Sequence, residues 1–105
     1  MHERIKRDEV KTDFDERLAE IGQALAHPTR IRILRLLSGG ELCSCEIAPY
    51  FELDQSGISR HLNALRRAGL VVSRRDGVRI YWRIASSHVT ELLPLLEKIS
   101  QKGRS

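Results

Sequence analysis

Residues 54–84 read DQSGISRHLNALRRAGLVVSRRDGVRIYWRI, and this stretch decides the fold. Asp54 stands where an N-cap belongs, with a carboxylate able to accept from the free N–H groups of a first helical turn. Behind it Ile58, Leu62 and Leu65 recur at helical spacing, and Gly69 supplies the residue that a helix stop favours. The pattern predicts a helix from Gln55 to Arg67. Its outward residues, Gln55, Ser56, Ser59, Arg60, Asn63 and Arg67, can all donate hydrogen bonds to phosphates or base edges. His61 lies on the same helix, where a phosphate contact and packing against a neighbouring helix are both open. After the helix come two runs rich in β-branched and aromatic residues, Leu70 to Arg75 and Val78 to Ile84, joined by Asp76-Gly77, a strong hairpin signal. Arg79, Tyr81 and Arg83 alternate with Ile80, Trp82 and Ile84, so one face of the hairpin turns inward and the other outward.

Working upstream, Cys43-Ser44-Cys45-Glu46 has the spacing of a capping box with a thiol in the usual hydroxyl place, so a third helix is expected to start with Cys43 as its cap. Pro49 lacks an N–H for the carbonyl of Cys45, which predicts a short, irregular helix ending near Phe51. Before it, Pro28 suits a first helical turn, and Ile31, Leu34 and Leu37 form an apolar stripe that Ser38-Gly39-Gly40 ends. Arg30, Arg32 and Arg35 fall off that stripe. A first helix, capped by Asp13 or Thr12, carries Phe14, Leu18, Ile21 and Leu25 to about Ala26. A last helix, capped by Ser86 or Ser87, carries Val89, Leu92, Leu93 and Leu96 and is expected to fray beyond Ile99. The expected fold is mainly α with a small β-hairpin, in the order α-α-α-α-β-β-α. Its third and fourth helices and the hairpin describe a winged helix-turn-helix. Residues 1–12 read as a polar arm, 13–100 as one domain and 101–105 as a frayed tail.

With 105 residues there is room for one domain whose own core is modest, so burial against a partner subunit is useful. Hydrophobic residues at 41% and charged residues at 30% argue against disorder. No apolar run approaches the ~20 residues of a membrane span, and MHERIKRDEV is too polar for a secretory signal, so a cytoplasmic protein is expected. The net charge of +4 comes from residues 54–83, where Arg60, Arg66, Arg67, Arg74, Arg75, Arg79 and Arg83 face only Asp54 and Asp76. Such a stripe favours a polyanion as partner, with Arg74, Arg75 and Arg79 on the wing as candidate contacts. No nucleophile–base pair can be assembled, so an enzyme is not expected.

The two cysteines cannot staple a secreted fold, and in a reducing compartment they should be thiols. Inside a helix, residues two apart point about 200° away from each other. At a helix start, with Cys43 in cap geometry, the two sulfurs can converge, and the positive end of the helix favours thiolate. A disulfide across so short a span is disfavoured by strain. Thiolates are soft, so arsenic(III) or antimony(III), then cadmium, lead, zinc or copper(I), are preferred over magnesium or calcium. Both cysteines as small buried hydrophobes, or as a redox sensor, are the alternatives.

In order and spacing, HPTRIRILRLL, ELCSCEIA, ISRHLNALRRAGLV and RRDGVRIYWRI resemble the ArsR/SmtB family of metal-sensing repressors, over about Ala24 to Ile84. The resemblance implies a homodimer joined through the first and last helices, with Phe14, Leu18, Ile21, Leu92, Leu93 and Leu96 at the interface. It implies an inverted-repeat DNA operator released when metal binds. Cys43, Cys45 and Glu46 match the arsenic-type box of that family, whereas Ala48 stands where many members carry a third cysteine, and the arm carries none. A second family site on the last helix is not matched, because Ser86, Ile99 and Lys102 stand where ligands are usual and only His88 corresponds. His27 reads as a turn residue. A winged-helix regulator sensing redox state or another small ligand is the alternative function.

Overall fold

The computed structural model describes residues 12–103. Its elements are α1 (Thr12–Leu25), α2 (Pro28–Leu37), β1 (Leu42–Cys43), α3 (Ser44–Ile47), a 3-10 turn (Ala48–Tyr50), α4 (Gln55–Arg67), β2 (Val71–Asp76), β3 (Arg79–Ile84) and α5 (Ser87–Gly103). Most of the expected arm, residues 1–11, and the last two residues lie outside the described region.

The helix boundaries follow from local chemistry. Pro28 opens α2 behind an extended His27 (φ −138°, ψ 125°), and α2 closes where Ser38 N–H bonds back to the carbonyls of Leu34 and Arg35. The start of α4 is fixed by Asp54, whose Oδ1 accepts from Gly57 N–H at 2.8 Å. At its other end Gly69 N–H reaches Arg66 O and Leu70 N–H reaches Leu65 O, the paired bonds of a Schellman stop, with Gly69 at φ 82°. Pro49 limits α3 to a single turn, as its missing N–H requires, and the chain tightens into the 3-10 turn.

Three expectations are corrected. The hairpin is part of a three-stranded antiparallel sheet of order β1-β3-β2, in which Leu42 stands opposite Trp82 and Cys43 opposite Tyr81. A two-residue strand is too short to show alternation in sequence, and Cys43 is already extended (φ −69°, ψ 148°) because it caps α3. The last helix does not fray beyond Ile99 but continues to Gly103, even across Pro94. The turn also shifts by one residue: Asp76 pairs with Arg79, leaving Gly77-Val78 as the loop, with Gly77 at φ 64° in the first position as a type II′ turn requires.

The core lies between α2, α4, the sheet and α5, and contains Ile33, Leu34, Leu37, Ile47, Ile58, Leu62, Leu65, Val71, Trp82, Val89 and Leu93. Full burial of an aliphatic side chain such as Leu62 contributes about 1.5–3 kcal/mol. This packing fixes the base of α4 and leaves its opposite face to solvent. The apolar stripe of α1 is not absorbed: Phe14 is 62% exposed and Leu18 50%.

Candidate nucleic-acid interface and cysteine pair

The outward face of α4 carries Gln55, Arg60 and Arg67 exposed, with Ser59 and Asn63 half-exposed. Ser56 is exposed but its hydroxyl donates to Asp54 Oδ1 at 2.9 Å, so it reinforces the cap. Gly57 N–H and the Ser56 hydroxyl together hold the Asp54 carboxyl below its usual range. His61 is turned toward α2, where its Nδ1 accepts from Arg30 Nε at 3.1 Å and its ring lies 5.9 Å from that of His27. Burial, and then the charges of Arg30, His27 and Arg60, push the His61 pKa down. His61 thus packs between α4 and α2, one of the two roles open to it.

On the wing, Arg75 and Arg79 are exposed beside the tip residue Val78, which is 95% exposed. Arg74, expected among the DNA contacts, is exposed and also engaged within the chain. Its Nε and Nη2 donate to the Glu41 carboxylate, at 2.9 and 2.7 Å for the shortest bonds, and its guanidinium lies 4.6 Å from the centre of the Tyr81 ring. The bonds to Arg74 hold the Glu41 carboxyl below its ordinary value and raise the Arg74 pKa in return. Arg66, which helical periodicity did not single out, sits over Trp82 at 5.5 Å and donates to the Ser73 hydroxyl at 3.1 Å. No sequence signal pointed to that contact, since a turn at Asp76-Gly77 sets Ser73 opposite Ile80, whereas the observed register sets it opposite Trp82.

The capping box at Cys43 forms with sulfur in place of oxygen. Cys45 N–H donates to Cys43 Sγ at 3.1 Å, and Cys43 N–H donates to Glu46 Oε1 at 2.9 Å. Glu46, the acidic member of the box, is therefore engaged by the backbone. Against the expectation of separate thiols, the structure joins Cys43 and Cys45 in a disulfide. The physical reason is the change of backbone at this point, extended at Cys43 and helical from Ser44. Helical Ser44 sets the two Cα atoms 5.1 Å apart, within the ordinary disulfide span, and the extended Cys43 takes its sulfur off the helical screw toward that of Cys45. Cys43 is buried at 2% exposure and Cys45 is exposed. Among the described residues, no third histidine, cysteine or carboxylate joins them in a metal-holding group. His88 is exposed, 3.8 Å from Glu91 in the next turn of α5.

The proposed interface residues divide. Phe14, Leu18 and Leu96 are exposed, Ile21 and Leu92 are half-buried, and Leu93 belongs to the chain's own core. Leu95 and Ile99, which are not among the expected interface residues, are exposed and complete a stripe with Leu92 and Leu96 at i, i+3, i+4, i+7 spacing.

A short helix, a tight turn, an exposed polar helix and an arginine-flanked hairpin define a winged helix-turn-helix regulator. The family described as bacterial regulatory protein, arsR family, matches residues 27–73. An uncharacterised HTH-type transcriptional regulator of Methanocaldococcus jannaschii is 38% identical over 85 residues, covering 80% of this chain and 96% of that protein. A transcriptional repressor SmtB homolog of Synechocystis is 34% identical over 88 residues, covering 84% and 67% respectively. The solution structure of a homodimeric winged helix-turn-helix DNA-binding domain from Mycobacterium bovis, a possible ArsR-family regulator, superimposes with a TM-score of 0.81. It is 34% identical and covers 97% of this chain and 92% of that one. The chain thus belongs to the arsR family of transcriptional regulators, and its relatives are regulators rather than enzymes. No described helix is long and apolar enough to cross a membrane.

Proposed function

We propose that this chain is a homodimeric repressor that holds an inverted-repeat operator until a thiol-seeking metal or metalloid captures Cys43 and Cys45. In this reading Gln55, Ser59, Arg60, Asn63 and Arg67 enter the major groove, while Arg75 and Arg79 meet phosphates. Phe14, Leu18, Leu95, Leu96 and Ile99 supply the apolar surface for a two-fold dimer, which sets two copies of α4 about one DNA turn, ~34 Å, apart.

The observation that carries the sensing role is the convergence of two sulfurs at the entrance to the helix-turn-helix, one buried and one exposed. In its reduced form the pair offers two soft donors to arsenic(III) or antimony(III), with cadmium, lead or zinc as further candidates. These ions favour more than two ligands, so a small thiol, a water or the second subunit completes the set. Bound there, the ion supplies a soft Lewis acid that ties the cap of α3 to its first turn. The test is an arsenite titration of the reduced protein on an inverted-repeat duplex, with stoichiometry measured. Release at a fixed ratio of arsenic to cysteine pairs supports the reading, and unchanged DNA affinity at saturating arsenite refutes it.

The disulfide itself favours a second reading, in which the signal is oxidation. Two thiols then lose two electrons and two protons to an oxidant such as a peroxide and form the Cys43–Cys45 bond. Release by peroxide alone, reversed by dithiothreitol, identifies that case.

A further inference from the structure

We infer that Glu41, clamped on Arg74, is the positioning residue that passes the state of the cysteine pair to the wing. The inference rests on the proposed sensing role and names its route. Three observations converge on it. Cys43 pairs with Tyr81, and Tyr81 pairs with Arg74, so the three residues form one row across β1, β3 and β2. Residues directly opposite in antiparallel strands share a face, and Glu41, two residues before Cys43, returns to that face. On it the Arg74 guanidinium makes three hydrogen bonds to Glu41 across a separation of 33 residues while lying over Tyr81.

The consequence is mechanical. Cys43 cannot shift along β1 without carrying Glu41, and Glu41 cannot shift without pulling Arg74 and the strand that ends at the wing tip. A two-point guanidinium–carboxylate pair fixes direction as well as distance, which a single-point contact does not. A ligand that engages Cys43 Sγ loads the sulfur that also accepts from Cys45 N–H, so the extended-to-helical junction shifts and β1 moves against β3. The displacement reaches Arg75, next to Arg74 in β2, and Arg79, two residues before Tyr81 in β3. Arg74 is thereby a linkage residue, and the re-aimed wing lowers DNA affinity alongside any movement of α4. An exposed ion pair contributes little to global stability, so removing it leaves the fold in place.

The test uses the full-length reduced protein, arsenite as probe, and a fluorescent inverted-repeat duplex at fixed salt. The parent's Kd should rise on arsenite saturation by about 5- to 150-fold, the usual range of an allosteric coupling. Glu41→Gln should bind arsenite with the parent's stoichiometry and bind DNA as tightly or more tightly, yet its Kd should change less than about 2-fold on arsenite binding, outside that coupling range. Arg74→Gln should lose the response in the same way, and the double variant should add nothing further. Hydrogen exchange across residues 71–84 should respond to arsenite in the parent and not in Glu41→Gln. A Glu41→Gln protein that keeps the parent's release ratio and wing response overturns this route while leaving the sensing role intact. A parent that binds arsenite and does not release DNA overturns both.

Discussion

Arg17 Nη2 donates to the carbonyl of Ala68 at 2.6 Å, so the first helix closes the C-terminal end of α4. The Schellman bonds at this end use the carbonyls of Leu65 and Arg66 and leave that of Ala68 for the guanidinium. A side chain from α1, which carries exposed apolar residues, thus sets the far end of α4.

Gly69 makes the arrangement possible. At φ 82° a side chain is strained, and a Cβ would stand 2.8 Å from Arg17 Nη2. The flexible arginine can yield, so the backbone term dominates. Gly69→Ala should destabilise the protein by about 1–2 kcal/mol, read in urea as a lower midpoint with an unchanged slope.

His61 gives stability a pH dependence of definite sign. Its folded pKa lies below the ordinary value of 6.5, because burial and the neighbouring cations favour the neutral ring that accepts from Arg30. Above pH 6.5 the ring is neutral in both states and the contribution is constant. As pH falls through 6.5 the unfolded chain takes up the proton first, and stability is lost down to the folded pKa. Thermal unfolding of the parent should therefore decline more steeply on acidification below pH 7 than that of His61→Gln. Parallel profiles would remove His61 from the account.

Ile99 tests the dimer. It is 67% exposed on the stripe that α5 leaves uncovered. Ile99→Asp should convert dimer to monomer in sedimentation while leaving far-ultraviolet circular dichroism unchanged. DNA affinity should fall about 100-fold, because two linked half-sites become one.

The wing arginines separate by their partners. Among the described residues, no carboxylate clamps Arg75 or Arg79 as Glu41 clamps Arg74. Arg79→Ala should weaken binding on all sequences alike and reduce the slope of log K against log salt by about 1. An unchanged slope would place Arg79 off the phosphates.

Much of this was legible in the chain. Asp54, Gly69 and the Ile58, Leu62, Leu65 stripe set α4 through short-range rules, and the sulfur-bearing capping box at Cys43 follows from four consecutive residues. What was not legible depends on contacts distant in sequence. Neither β1 nor the Glu41–Arg74 clamp leaves a periodic trace, since one spans two residues and the other 33. Leu93 and Leu95 illustrate the same limit, because both are leucines on one helix and only packing against α2 and β3 decides which is covered. The convergence of Cys43 and Cys45 follows from the cap geometry that four consecutive residues predict, whereas the bond that joins them does not.

The central claim is that the Cys43/Cys45 pair controls DNA release, and Cys43→Ser and Cys45→Ser test it most directly. Serine is a good N-cap, so Cys43→Ser preserves the start of α3. Each variant, reduced and assayed on the same duplex against arsenite, antimonite, cadmium, lead and zinc, should bind DNA like the parent and fail to release it with any ion that releases the parent. Both variants releasing DNA at the parent's ion concentrations would contradict the account.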